Sequence, residues 1–247
     1  MTTIRRRRVL PLKRFLLVPL GGAVILGVTL YLPAGSPAFL PLTGLLAAWW
    51  LIGAVICGGV PLALGAPGFR APLRVPRPVG TESFGDRARP GVLRTLLSES
   101  RGTRLLRHVG EPLCAAALLA GIFALGALFA SHVPVLRAAI AQVTAHVGAG
   151  PLWVVALAAC AAGIAEEAYF RGSVYTACAG RSPILLSTLL YALITAASGN
   201  LLLVLAALLL GAVAALLRAR SGAIWAPMIL HAAWSLAMLW VLPLALG

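Results

Sequence analysis

Acidic side chains are nearly missing from this chain: six Asp and Glu residues in 247 positions, against twenty Lys and Arg. Charged residues of both signs reach only 11% and aromatics 7%. A soluble domain of this length could not hide so much apolar surface, which sets ordinary water-soluble folds aside. Cysteine is scarce and unpatterned. Cys57, Cys114, Cys160 and Cys178 show no C-x-x-C spacing, so neither a disulfide framework nor a thiolate zinc site is expected, and buried apolar cysteine is the simplest reading.

What fills the chain is hydrocarbon. Hydrophobic residues make up 61% and the mean hydropathy is +0.98. A helix rises 1.5 Å per residue, so ~20 apolar residues cross a ~30 Å hydrocarbon core. Seven stretches approach that length: 15–32, 39–64, 112–130, 151–170, 183–198, 200–217 and 223–245. The fifth and sixth are short and meet at Ala197-Ser198-Gly199-Asn200, a tight helical hairpin turn. The first follows an arginine-rich start, yet its apolar run exceeds a usual signal-peptide core, so a retained anchor is expected. The predicted fold is all-α, a polytopic transmembrane bundle of about seven helices. Three parts are expected: residues 1–64 with two helices, a basic loop over 65–111, and the remaining helices over 112–247.

The formal net charge of +14 does not point to nucleic acid, because the arginines sit in the gaps between apolar runs. With the N-terminus (Arg5 to Arg8, Lys13, Arg14) in the cytoplasm and seven alternating spans, only Arg137 falls outside. Arg171, Arg181, Arg218, Arg220 and the arginines of the 65–111 loop all fall inside. This asymmetry predicts a cell (inner) membrane protein with its C-terminus outside. In the basic loop, residues 65–90 are rich in Pro, Gly and Arg, as irregular segments are. Residues 91–109 alternate Leu93, Leu96 and Leu97 with Arg94, Arg101 and Arg104, which predicts a basic amphipathic helix on anionic lipid headgroups. Trp49, Trp50, Trp153, Trp225 and Trp240 lie near span ends, and Trp234 lies deeper. Gly21-Gly22 and Gly58-Gly59 suggest close helix approach.

Against this background two adjacent carboxylates, Glu166 and Glu167, stand inside the fourth apolar run. An ionisable side chain at mid-bilayer depth costs roughly 2.5–3.5 kcal/mol on insertion scales, so such residues usually line a protein interior or a wet cavity. Glu167 and Arg171 are four apart and can pair on one helix face. Glu166 is rotated by about 100° and shares its side with Phe170. One carboxylate is then neutralised while the other is free to act as a general base on water. An internal charge network that only fixes helix packing is the competing reading. His231 lies at a comparable depth, roughly 7–12 Å from the inner surface by helix rise, which favours a shared site. Tyr191 and Thr195 share a face of the fifth span and would complete a cavity wall with Phe170.

Glu166-Glu167-x-x-x-Arg171, followed by Gly172, resembles the first motif of the CAAX protease and bacteriocin-processing family, also called the abortive-infection family of intramembrane proteases. Ser187-Thr188-Leu189-Leu190-Tyr191-Ala192-Leu193-Ile194-Thr195 is similar to its second motif. Gly222 to Ser235, with Trp225, Pro227 and His231 inside, is similar to its third. The resemblance covers roughly residues 110–245. It implies an intramembrane endopeptidase in which Glu166 activates a water, Glu167 and Arg171 support it, and His231 holds water or substrate. The substrate implied is a membrane-anchored protein or peptide.

Two positions depart from the family pattern. Thr195 stands where the second motif usually has His, with Tyr191 for the usual Phe, and Ser235 stands at the Asn position of the third motif. A serine hydroxyl can still donate to a developing oxyanion. Threonine offers no imidazole, and a catalytic zinc generally needs three protein ligands. Zinc on Glu166 and His231, with Glu167 as a third ligand, would break the Glu167–Arg171 pair, so it is less expected here than in a member with both histidines. Two readings stay open beside the hydrolase: a family member without turnover that acts as a membrane binding or scaffold protein, and a transporter using the acid pair. No inverted internal repeat supports the last.

Overall fold

The computed structural model describes residues 12–58 and 105–246. The helices are α1 (Leu12–Leu30), α2 (Phe39–Ile56), α3 (Glu111–Ser131), α4 (Pro134–Thr144), α5 (Leu152–Glu167), α6 (Pro183–Thr195), α7 (Leu201–Ser221) and α8 (Trp225–Leu246). A π-helical turn, Leu106–Gly110, leads into α3. A second, Ala168–Val174, carries α5 on to a last helical turn, Tyr175–Ala177. The segment 65–90 and most of the expected amphipathic helix at 91–109 lie outside the described residues, as does Gly59.

Among the described residues, five helices are long and apolar enough to cross a membrane: Phe39–Ile56, His108–Ser131, Leu152–Ala177, Leu201–Ser221 and Trp225–Leu246. Leu17–Leu30 and Pro183–Ser198 are apolar but shorter. The seven expected stretches therefore all form helices, though Pro183–Ser198 falls short of a full crossing at 1.5 Å per residue. The sixth stretch is longer than read from sequence, because α7 runs past its arginines to Ser221. The second is shorter than the expected 39–64, because α2 ends in a turn at Cys57 and Gly58. Leu118, Leu125, Phe129 and Leu193 point outward and exposed, the arrangement of a multi-pass membrane protein whose outer face meets lipid rather than water.

Local chemistry sets the boundaries. Pro134 and Pro183 open α4 and α6 at the first helical position, where a missing N–H costs nothing. Gly199, at φ +67°, closes the turn after α6, and the Asn200 side chain accepts from the backbone N–H groups of Leu202 (3.0 Å) and Leu203 (3.2 Å) to cap α7. Gly222, at φ +70°, ends α7 and returns its N–H to the Arg218 carbonyl. The helix α4 was not expected; residues 131–150 read as an outer loop. It buries Ile140 and leaves Val135 exposed, and Arg137 donates to the Leu246 carbonyl at 3.0 Å.

The first two helices pack onto the others in one core. A side chain at Gly21 or Gly22 would overlap the ring of Trp49 or Trp50, and Trp49 donates to the Val18 carbonyl at 2.8 Å. Close approach is therefore real for this glycine pair. Gly58 instead serves a turn at φ +75°, with nothing near it. Trp50 packs with its ring 5.1 Å from those of both Tyr169 and Phe170, each tilted to it, and Phe170 lies 4.9 Å from the Tyr191 ring. This aromatic chain joins α2, the π-turn after α5, and α6. It forms the wall behind the acid pair.

Candidate active site

Glu166 and Glu167 close α5, where the helix widens into the fully buried π-turn Ala168–Val174. Such π-segments hold an extra residue per turn and often mark functional positions. The turn is pinned from outside: Ser173 donates to the Ala54 carbonyl at 3.1 Å, and Arg218 donates through Nε to the Arg171 carbonyl at 3.3 Å.

The acid pair divides as its rotation on the helix requires. Glu167 is fully buried, and its Oε1 accepts from Arg171 Nη1 at 2.9 Å. Arg171 sends Nη2 across to the Gly211 carbonyl of α7 at 2.9 Å, and its guanidinium lies 5.0 Å from the centre of the Tyr191 ring. The same Glu167 Oε1 lies 3.0 Å from His231 Nδ1. With a proton on Nδ1 the imidazole donates to this oxygen, and its Nε2 lone pair is then free. Nε2 then faces Glu166 Oε2 at 3.9 Å. Glu166 retains 14% exposure where Glu167 has none, and its Oε2 accepts from the Tyr191 hydroxyl at 2.7 Å.

Two glycines make this fit. A Cβ on Gly163 would lie 2.8 Å from His231 Cδ2 and 3.1 Å from Nε2, so the imidazole rests directly on the α5 backbone. A Cβ on Gly211 would lie 2.9 Å from Arg171 Nη2. Neither was singled out from sequence; the available signal was a lone glycine one turn before the acid pair and another in the Leu-Ala run of α7.

The expected residues thus sort into two groups. Glu166, Glu167, Arg171, Tyr191 and His231 come together. Thr195 does not reach them: its hydroxyl donates back to the Tyr191 carbonyl at 2.9 Å. Phe170 is fully enclosed among Trp50, Tyr169 and Tyr191. Ser235 donates to neither carboxylate and instead lines an apolar cavity of about 480 Å³, a size ordinary for ligand sites. This cavity lies among α2, α3, α4, α5, α7 and α8, toward the end of the bundle that holds Arg137 and away from Arg171, Arg218 and Arg220. Trp234 also lines it, with its ring 6.2 Å from that of His231, so one tryptophan separates cavity from imidazole. Neither carboxylate lines it. His132 and His146 sit at that far end too, His146 stacked on Phe39 at 4.3 Å.

Glu166 and His231 Nε2 face one another as two potential metal ligands, where a catalytic zinc generally has three from the protein. Glu167 Oε1 is committed to a guanidinium and an imidazole, and α6 brings a phenol rather than a second imidazole. Among the described residues no group of three or more His, Cys, Asp or Glu side chains is placed to hold a metal ion.

No curated protein and no solved structure matches the chain. A family model does: residues 148–237 match Type II CAAX prenyl endopeptidase Rce1-like. The match starts later than the resemblance over 110–245 and includes both carboxylates, Arg171, Tyr191, Thr195, His231 and Ser235. The helices that build the acid–imidazole cluster thus belong to a segment that matches the Rce1-like family model, carried by a multi-pass membrane protein.

Proposed function

We propose that this protein is an intramembrane endopeptidase that hydrolyses a peptide bond in a membrane-associated protein or peptide. The observation that carries the reading is the 3.9 Å separation of Glu166 Oε2 and His231 Nε2. That is too long for a direct hydrogen bond and is a distance one water bridges. A water held there donates one proton to Glu166 and the other to His231 Nε2, leaving a lone pair for attack. Glu166 takes a proton as the water oxygen bonds to the scissile carbonyl carbon. When the C–N bond breaks, the proton on Glu166 passes to the leaving amine. Glu167 and Arg171 do not react; they hold the imidazole and set its tautomer.

This route uses no zinc: Glu166 and His231 Nε2 offer two ligands, and a catalytic zinc generally needs three from the protein. The apolar cavity that reaches Ser235 supports a substrate with a membrane-embedded part. We place the basic end in the cytoplasm of the cell membrane, where the 65–111 arginines meet anionic headgroups rather than nucleic acid.

One observation favours a second reading, a family member that binds without turnover. With Thr195 turned onto the Tyr191 carbonyl, the site has one imidazole. Purified protein in lipid nanodiscs, incubated with a library of membrane-anchored peptides and followed by mass spectrometry, separates the two. Cleavage that disappears in Glu166→Gln supports the hydrolase. Activity gained only in Thr195→His supports the silent binder.

A further inference from the structure

Tyr191 supplies the hydrogen bond from α6 to the acid pair. Its hydroxyl donates to Glu166 Oε2 at 2.7 Å, and that oxygen is the one facing His231 Nε2. Three other contacts fix the ring: Phe170 at 4.9 Å, the Arg171 guanidinium at 5.0 Å and the His231 ring, edge-on at 6.4 Å. Gly211 admits it, since a Cβ there would lie 3.3 Å from Tyr191 Cδ1. The ring therefore has almost no freedom, and the hydroxyl is aimed. Thr195, one turn on, is occupied with the Tyr191 carbonyl and supplies nothing to the carboxylates.

We propose that Tyr191 is the positioning residue of this site: its phenol holds the Glu166 carboxylate against His231, in place of a side chain at position 195. A carboxylate at the end of a glutamate side chain has several rotamers, and only one directs Oε2 at Nε2. A hydroxyl donated from a locked ring selects it, and leaves other lone pairs of that carboxylate open for a water. The phenol stays a donor throughout, so α6 contributes geometry while the proton from water travels through Glu166 alone. The kinetic consequence rests on the hydrolase reading; the structural one does not.

Tyr191→Phe removes the hydroxyl and keeps the packed ring. Infrared spectra of protein labelled with ¹³C at the glutamate carboxyl carbon, in nanodiscs, isolate the Glu166 band as the one absent from Glu166→Gln. That band is expected to shift in Tyr191→Phe while the melting curve stays cooperative; an unmoved band overturns the proposal, with or without cleavage. In the cleavage assay, loss of a hydrogen bond to a charged group corresponds to a kcat about 10–100-fold lower, with KM unchanged. A Tyr191→Phe enzyme as fast as wild type also overturns it. If wild type itself cleaves nothing, the hydrolase reading fails, and the infrared band alone decides the role of Tyr191.

Discussion

At the scale of single residues, Glu167 carries more of the site than its place beside a general base suggested. Spacing alone paired it with Arg171, because four residues bring two side chains to one helix face. Its second partner, the His231 Nδ1 at 3.0 Å, was not legible: that contact joins positions 64 apart and depends on how α8 rolls against α5. The same limit hid the Tyr191 hydroxyl. Arg171→Met strands a buried carboxylate, and removing one member of such a pair is expected to cost about 3–5 kcal/mol. Glu167→Gln/Arg171→Met should recover part of that loss, which thermal denaturation of the four proteins measures as a coupling energy. If the double variant is as unstable as the sum of the singles, the pair is not coupled. Gly163→Ala tests the other contact. The added methyl displaces the imidazole from α5, so it should lower cleavage more than ten-fold while folding is kept, and an active Gly163→Ala enzyme would contradict this geometry.

Among elements, the apolar runs were readable because each must exceed a fixed length in hydrocarbon, and that constraint leaves its mark on composition. Boundaries were less so. The fourth run looked finished near Arg171, whereas the helix continues to Ala177 through a π-turn. Ser173 bonded to Ala54 and Arg218 bonded to the Arg171 backbone hold that turn, and both are tertiary contacts. The helix α4 escaped notice for another reason: it is short, and its buried face is little more than Ile140. Asn200 ties these pieces together. Its Oδ1 caps α7, while its Nδ2 donates to the Ala139 carbonyl at 2.8 Å and to Gln142 at 3.0 Å, anchoring α4. Asn200→Ala should therefore cost more than the roughly 1 kcal/mol of an ordinary cap. Asn200→Asp keeps the acceptor and loses the donor, so its melting temperature should fall between the two. Equal melting of the Ala and Asp variants would mean that only the anchor matters.

For the whole molecule, the arrangement of charge sets an orientation that an experiment can read. Among the described residues, Arg171, Arg181, Arg218 and Arg220 gather where α5 and α7 finish, and Arg137 stands at the opposite end beside the last turn of α8. Arg220 reaches Glu111 at 3.3 Å with its side chain 68% exposed, an ion pair of small energetic weight. Replacing Arg220 therefore leaves the fold intact, and the same holds for Arg137 at its single carbonyl. Lys and Arg resist translocation, so the proposed orientation expects the end that holds most of them on the cytoplasmic side. In protein whose four native cysteines are changed to Ala, Arg137→Cys should react with a membrane-impermeant maleimide on intact cells. Arg220→Cys should react only after the membrane is opened. The reverse pattern would place the basic end outside and require substrates to reach Glu166 from there. Labelling of both from one side would mean that the short helix α6 is not a full span, because α5, α6 and α7 are the crossings between the two positions, and the number of crossings would need to be redrawn.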